Sequence, residues 1–324
     1  FRLLKSISTF VRQCLPQEET MSTPEIKKEI LRLKNQNDVL ILAHSYQTRD
    51  ICEIADFTGD SYALAKHAAA AKNKTVLMCG VRFMAETVKI LAPEKRVLLS
   101  HADAGCPMAE QLTREDLAEL KAKYPNAVTV AYINTTANLK TLCDVCVTSS
   151  SAERILTAIA EKEILFIPDI NLGQYLASKM PDKTFRFVKG GCPIHMTALK
   201  TDVIQAKLAH PNALFLAHPE CLPEVALQAD FVGSTTGIMD YAKNSEKQEF
   251  IIGTETAIVE HLQFECPDKK FYPLSEKFIC RDMKLTTIQN VLACCRGEGE
   301  EINLKEETRL SAKKCIDKMI ELGG

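Results

Sequence analysis

The sequence contains no tryptophan among its 324 residues. It also has no apolar run near the ~18 residues that a membrane-spanning helix needs, which excludes a helical membrane protein. No basic tract exceeds a Lys-Lys pair, and 40 Lys and Arg against 42 Asp and Glu leave a formal charge of −2. An electrostatic footprint for nucleic acid is therefore missing. A secretory signal peptide is not visible, and the cysteine spacing lacks the density of a small secreted disulfide scaffold.

What is present is an ordinary soluble mix, 46% apolar and 25% charged, with an odd count of 13 cysteines. The reading is a reducing, cytoplasmic setting in which most thiols pack as small hydrophobes and a few act as ligands. Residues 1–21 are expected to be an extension outside the fold and disordered. The run Phe1 to Gln17 is basic, free of acidic residues and not preceded by an initiator Met. It reads as translated upstream sequence ahead of Met21, or else as the remnant of an organelle-targeting segment. Thr23 is expected to cap a first helix with Pro24 in its first turn.

Short apolar runs alternate with helical patterns, which predicts β-α-β units and a parallel sheet. The runs superpose. Val39-Leu40-Ile41-Leu42-Ala43-His44 recurs as Val128-Thr129-Val130-Ala131-Tyr132 and again as Leu214-Phe215-Leu216-Ala217-His218. The terminal alanines are 88 and then 86 residues apart, so the chain reads as three copies of one α/β unit. The boundaries expected are 22–110, 111–195 and 196–283, with the helices of 284–324 packing back on the first unit.

The same register selects chemistry. Each first strand ends in two polar residues two apart: His44 and Tyr46, Tyr132 and Asn134, His218 and Glu220. The carboxyl ends of parallel strands are where open α/β sheets hold ligands. Seventeen or eighteen residues beyond each alanine stand Ser61, Ser149 and Ser234, each expected to open a helix, with Ser150 and Glu153 in a capping-box pattern. A hydroxyl there either caps the helix or holds a phosphate or carboxylate at its free N–H groups. Cys106, Cys192 and Cys280 follow their alanines by 63, 61 and 63 residues. If the copies pack about a pseudo-threefold axis, these thiolates converge. Three thiolates suit an iron–sulfur cluster with one iron left open as a Lewis acid. With His195 as a fourth ligand they also suit a structural zinc.

Several segments resemble the quinolinate synthase family: His44-Ser45-Tyr46-Gln47, Gly59-Asp60-Ser61, Val81 to Thr87, Tyr132 to Thr136, Val147 to Ser150, Pro168-Asp169, Gly191 to His195, His218 to Cys221 and Gly233-Ser234-Thr235. They run in order from about residue 25 to the end. The resemblance implies three tandem Rossmann-like αβα domains with short parallel sheets about a pseudo-threefold axis. It implies one 4Fe–4S cluster at the centre, held by Cys106, Cys192 and Cys280. The implied reaction condenses iminoaspartate with dihydroxyacetone phosphate to quinolinate, phosphate and two waters in de novo NAD biosynthesis, coupled to an L-aspartate-oxidising enzyme. His44, Ser61, Ser149, His195, Ser234 and Thr235 match positions that hold carboxylate or phosphate. Tyr46, Tyr132, Asn134, His218 and Glu220 match positions lining the reacting carbons. Of these, Glu220, Tyr46 and His218 are the acid/base candidates on residue type. Thr254-Glu255-Thr256-Ala257 departs from the family pattern in lacking a glycine after the Thr-Glu pair, so no role is assigned to Glu255.

Other features read more plainly. Cys143 and Cys146 form a single C-x-x-C without a second pair and are assigned to the core. Gly297-Glu298-Gly299-Glu300-Glu301 reads as an exposed acidic loop. Two rival functions remain: a different cluster-dependent hydro-lyase acting on a small hydroxy acid, and a non-catalytic zinc or redox-sensing assembly. A radical enzyme using S-adenosylmethionine is disfavoured, because its clustered three-cysteine loop is absent.

Overall fold

The protein is described here by a computed structural model covering residues 21–323. The expectations for residues 1–20 lie outside the described residues. Three parallel sheets follow one another along the chain. The first contains β1 (Val39–His44), β2 (Phe57–Gly59), β3 (Thr75–Cys79) and β4 (Arg96–Leu99). The second contains β5 (Val128–Tyr132), β6 (Val145–Val147), β7 (Glu163–Ile167) and β8 (Thr184–Phe187). The third contains β9 (Leu214–Ala217), β10 (Phe231–Val232), β11 (Glu249–Gly253) and β12 (Lys270–Pro273). Their spatial orders, β2-β1-β3-β4, β6-β5-β7-β8 and β10-β9-β11-β12, are one topology used three times. In each, the chain leaves the first strand to one side and returns on the other, so a ligand crevice opens beside that strand's carboxyl end.

The apolar runs are continuous because both faces of the sheets are covered. In the first sheet Leu40, Leu42, Val76 and Met78 enter one core, and Ile41, Ala43, Leu77 and Cys79 enter the other. In the third, Phe215 and Ile251 oppose Leu216 and Ile252 in the same way. This is the period-two consequence of a pleated strand. The first two units share a core, since Leu42 and Val97 belong to one cluster with Val130 and Phe166.

The repeat extends to polar detail. Asp56, Asp144 and Asp230 each accept a hydrogen bond from a first-strand N–H fifteen residues earlier, those of Ile41, Thr129 and Phe215, at 2.8, 2.7 and 2.7 Å. A lysine from the preceding helix pairs with each carboxylate: Lys34 at 2.9 Å, Lys121 at 3.3 Å and Lys207 at 3.8 Å. The same lysines donate to the carbonyls of Ile54, Leu142 and Gln228. Each brace ties a helix to the first strand of its sheet and to the segment that leads into the second.

Four expectations are corrected. The last helix, Glu306–Gly323, does not return to the first unit alone. It lies against helices Ala137–Lys140 and Ala152–Ala158 and β6 of the second unit as well as Arg82–Leu91 of the first, burying Ala312, Cys315, Ile316 and Met319. The acidic stretch is exposed and irregular over 297–299 as expected, but it does not stay a loop. Glu300–Glu301 forms β13, antiparallel to β4 at the sheet edge, with Arg82 paired to Glu300 at 2.7 Å and Arg96 to Glu301 at 3.2 Å. The first helix is capped by Ser22 with Glu25, not by Thr23. Ser151, not Ser149 or Ser150, precedes helix Ala152–Ala158, and its hydroxyl bonds that of Thr148 at 2.9 Å instead of capping the helix. Among the described residues, no helix is long and apolar enough to cross a membrane.

Candidate active site

The carboxyl ends of β1, β5 and β9 open into one cavity. His44 and Tyr46, Tyr132 and Asn134, and His218 and Glu220 all line it. So do Ser61, Ser149 and Thr235 from the loops after the second strands, His195, and all three of Cys106, Cys192 and Cys280. Ser234 stands apart from this lining. Its hydroxyl caps helix Thr235–Asn244, accepting the Gly237 N–H at 3.1 Å.

The polar side chains form a network across the three units. Tyr132 donates its hydroxyl to Glu220 Oε1 at 2.6 Å. His195 Nδ1 lies 2.9 Å from Glu220 Oε2. On its other side, His195 Nε2 lies 2.9 Å from Thr254 Oγ1, which in turn is 2.9 Å from the Tyr46 hydroxyl. Tyr46 also meets Thr235 Oγ1 at 3.0 Å. His44 and His218 repeat one local device. The Nδ1 of each accepts the backbone N–H two residues on, from Tyr46 at 3.1 Å and Glu220 at 3.3 Å. In the neutral ring the proton is then on Nε2.

Burial sets the charge states. It pushes His44 down to about 3 and His218 down to about 4, Glu220 opposing both, so the two rings are neutral near pH 7. Burial also raises Glu220. The neighbouring His218 and His195 rings and the Tyr132 hydroxyl more than offset it, and the carboxyl is held below its usual range. Burial, reinforced by the Glu220 charge, raises the Tyr46 and Tyr132 hydroxyls well above the usual phenol value, so both keep their protons. Among the described residues, no lysine or arginine lines the cavity. An anion there meets hydroxyls, imidazole N–H groups and backbone instead. Of the helix starts, the one at Ser61 is already occupied, because Asp60 accepts the N–H groups of Tyr62 and Ala63.

The three cysteines share one loop geometry. Each precedes a single helical turn: Pro107–Glu110, His195–Thr197 and Met283–Leu285. In each, the backbone N–H four residues on returns to the cysteine carbonyl at 3.1 Å. Backbone N–H groups near each sulfur favour its charged form: Met108 and Ala109 at Cys106, Ile194 and His195 at Cys192, Met283 at Cys280. Burial nonetheless pushes Cys106 up to about 12, Cys280 up to about 11 and Cys192 well above the usual thiol value. Three soft donors lining one cavity, their ionisation disfavoured by burial and favoured beside a positive centre, fit a thiolate-held metal or iron–sulfur group. A second donor set overlaps it, since Cys192, His195 and Glu220 offer ligand atoms within 4.8 Å of one another.

Several residues of the site were missed by sequence reasoning. Glu255 is fully buried, lines the cavity and pairs with Lys284 at 3.0 Å, while Lys284 donates to the Tyr46 carbonyl at 2.6 Å. Asp169 accepts the N–H groups of Leu172 and Cys192 at 2.7 and 2.9 Å. Thr254 joins Tyr46 to His195. The signal for the first two was the repeat itself, because Asp169 and Glu255 stand 86 residues apart, two residues past the ends of β7 and β11.

Comparison with known proteins agrees over most of the chain. A model of the quinolinate synthetase A protein family matches residues 28–321. The quinolinate synthase of Caldicellulosiruptor bescii is 46% identical over 303 residues, 94% of this chain and 100% of that protein. Those of Clostridium perfringens (strain 13 / Type A) and Geobacter metallireducens are each 43% identical over 93% of this chain, covering 100% and 99% of their own lengths. With three like sheets facing one cavity and the family matched nearly end to end, the chain belongs to the quinolinate synthase family.

Proposed function

We propose that the protein condenses iminoaspartate with dihydroxyacetone phosphate, releasing quinolinate, phosphate and two waters, and that Cys106, Cys192 and Cys280 hold a 4Fe–4S cluster for this reaction. One observation carries the reading: three thiols from three different units face the same cavity as the polar ends of all three first strands. The conversion balances without an oxidant or reductant, so the protein's own groups need only bind, orient and move protons. When bound, the cluster supplies an open iron as a Lewis acid for a substrate oxygen.

His44 and His218 are neutral and protonated on Nε2, which suits them to donate to carboxylate or phosphate oxygens. The hydroxyls of Ser61 and Ser149 add donors from two of the second-strand loops, Thr235 donates to the Tyr46 hydroxyl, and Ser234 fixes the start of the helix that carries Thr235. Glu220 is the ionised base, and Tyr46, whose hydroxyl keeps its proton, is the acid. His195 and Thr254 join them by a line of hydrogen bonds that fixes the two groups relative to each other. Tyr132 orients Glu220, and Asn134 lines the same cavity. The product feeds de novo NAD biosynthesis, and an L-aspartate-oxidising enzyme supplies the imine, in the cytoplasm.

A second reading has its own observation. The Cys192, His195 and Glu220 donors suit a single divalent ion such as zinc. That arrangement leaves Cys106 and Cys280 unused and competes with the Tyr132 and His195 bonds to Glu220. The discriminating assay supplies iminoaspartate and dihydroxyacetone phosphate to anaerobically purified protein and measures quinolinate and phosphate. Equimolar release of both supports the proposal. Absence of both from a protein that carries iron and sulfide contradicts the assigned substrates.

A further inference from the structure

Each candidate ligand cysteine gives its own backbone N–H to a carboxylate. Cys106 donates to Glu110 Oε1 at 3.1 Å, Cys192 to Asp169 Oδ2 at 2.9 Å and Cys280 to Glu255 Oε1 at 3.4 Å. The first two contacts depend on the preceding residue being glycine. A Cβ at Gly105 would lie 2.9 Å from Glu110 Oε1, and one at Gly191 would lie 2.9 Å from Asp169 Oδ2. Ile279 precedes the third cysteine, and there the bond is the longest.

The carboxylates do not all come from one place in the repeat. Asp169 and Glu255 are equivalent positions, whereas their counterpart in the first unit is Val81. Glu110 supplies the missing group from the far side of its cysteine, four residues on. The same bond is thus made by two routes, which sets it apart from a by-product of the inherited loop.

We propose that Glu110, Asp169 and Glu255 are positioning residues for the three-cysteine centre, each fixing one cysteine loop and withholding that cysteine's N–H from the sulfurs. The proposal rests on the cluster reading above. Two consequences follow. Holding the loop keeps the later N–H groups of the turn near the sulfur. Occupying the cysteine's own N–H, with the Glu110 carboxylate beside the Cys106 loop, favours the oxidised cluster, since potentials respond to N–H···S bonds and to net charge. A cluster that acts as a Lewis acid in a redox-neutral condensation has to stay in one oxidation state.

Glu110 is exposed, so replacing it spares the core. The test compares wild type, Glu110→Ala and Glu110→Gln, purified anaerobically at full length. The measurements are iron and sulfide per chain, rate of iron loss to a chelator, and midpoint potential. Glu110→Ala should lose iron about 10-fold faster or more, the range seen when outer-shell partners of metal ligands are removed. Glu110→Gln keeps an acceptor oxygen but not the charge. It should retain iron near the wild-type rate while its potential moves positive, a change that a purely structural role would not produce. Unchanged iron loss in the alanine variant, or an unchanged potential in the glutamine variant, overturns the proposal and leaves the cluster reading standing. Wild-type protein without iron and sulfide overturns the cluster reading itself.

Discussion

The Tyr46 hydroxyl and the Glu220 carboxylate, from the first and third units, are joined by one line of hydrogen bonds through Thr254 Oγ1 and His195, each step 2.9 Å. Tyr132, from the second unit, closes on the same carboxylate at 2.6 Å. The two groups expected to exchange protons with substrate are therefore linked to each other through two intermediate side chains. A single direction satisfies every atom: Tyr46 donates to Thr254, Thr254 to His195 Nε2, and His195 Nδ1 to Glu220.

Interrupting that line should slow catalysis without emptying the site. Thr254→Val is expected to reduce turnover about tenfold or more, with Thr254→Ser near wild type. Steady-state kinetics and the pH profile of kcat check this. A valine variant with wild-type turnover would remove Thr254 from the catalytic machinery.

Glu220→Gln should cut turnover by about 10²-fold or more while leaving iron and sulfide content intact. Measuring both on the same preparation separates chemistry from assembly. Near-normal turnover would take Glu220 out of the mechanism.

The Glu255–Lys284 pair ties the Cys280 loop to the Tyr46 backbone. Lys284→Met leaves a fully buried carboxylate unpaired. Because Lys284 is itself a quarter exposed, the cost should fall somewhat below the buried-pair range, at about 2–3 kcal/mol. Adding Glu255→Gln should recover much of that loss. Denaturant unfolding of the two single variants and the double variant reads the coupling.

His218 carries a folded-state value of about 4, below the ordinary histidine value. Between about pH 6.5 and pH 4 the unfolded chain binds the proton and the folded one does not, so this group's stabilising contribution is full above pH 6.5 and lost as pH falls toward 4. The slope for one such group is at most about 1.4 kcal/mol per pH unit. The difference in unfolding free energy between wild type and His218→Asn, measured across that window, should fall with decreasing pH. A flat difference would contradict the buried neutral state.

The braces offer a test of the fold alone. Asp230→Ala leaves the buried Phe215 N–H without its acceptor and should cost about 1–3 kcal/mol. The equivalent changes at Asp56 and Asp144 should cost similar amounts, because the three sites are built alike.

The repeat was legible in the sequence because burial on both sheet faces writes continuous apolar strands, and their spacing survives as steps of 88 and 86 residues. The strand-end residues and the three cysteines were legible for the same reason, as polar side chains held at fixed offsets from those strands. Thr254, Asp169 and Glu255 were not. Their partners are backbone N–H groups or side chains of other units, and a local pattern contains no distance between units. Glu255 was set aside on a missing neighbouring glycine, although its carboxylate works through Cys280 and Lys284. Glu300–Glu301 looked solvated because glycines and charges surround it. Arg82 and Arg96, more than two hundred residues earlier, supply its partners. The last helix was misplaced because its apolar face suits any exposed core edge, and that edge is shared by two units.

The proposed iron–sulfur cluster takes one cysteine from each unit. Its most direct test counts iron, acid-labile sulfide and zinc in anaerobically purified wild type and in Cys106→Ser, Cys192→Ser and Cys280→Ser. The account predicts about four iron and four sulfide per chain in wild type, lost together in each serine variant. One zinc per chain and no sulfide, retained in Cys106→Ser and Cys280→Ser, would contradict it and assign the metal to Cys192, His195 and Glu220.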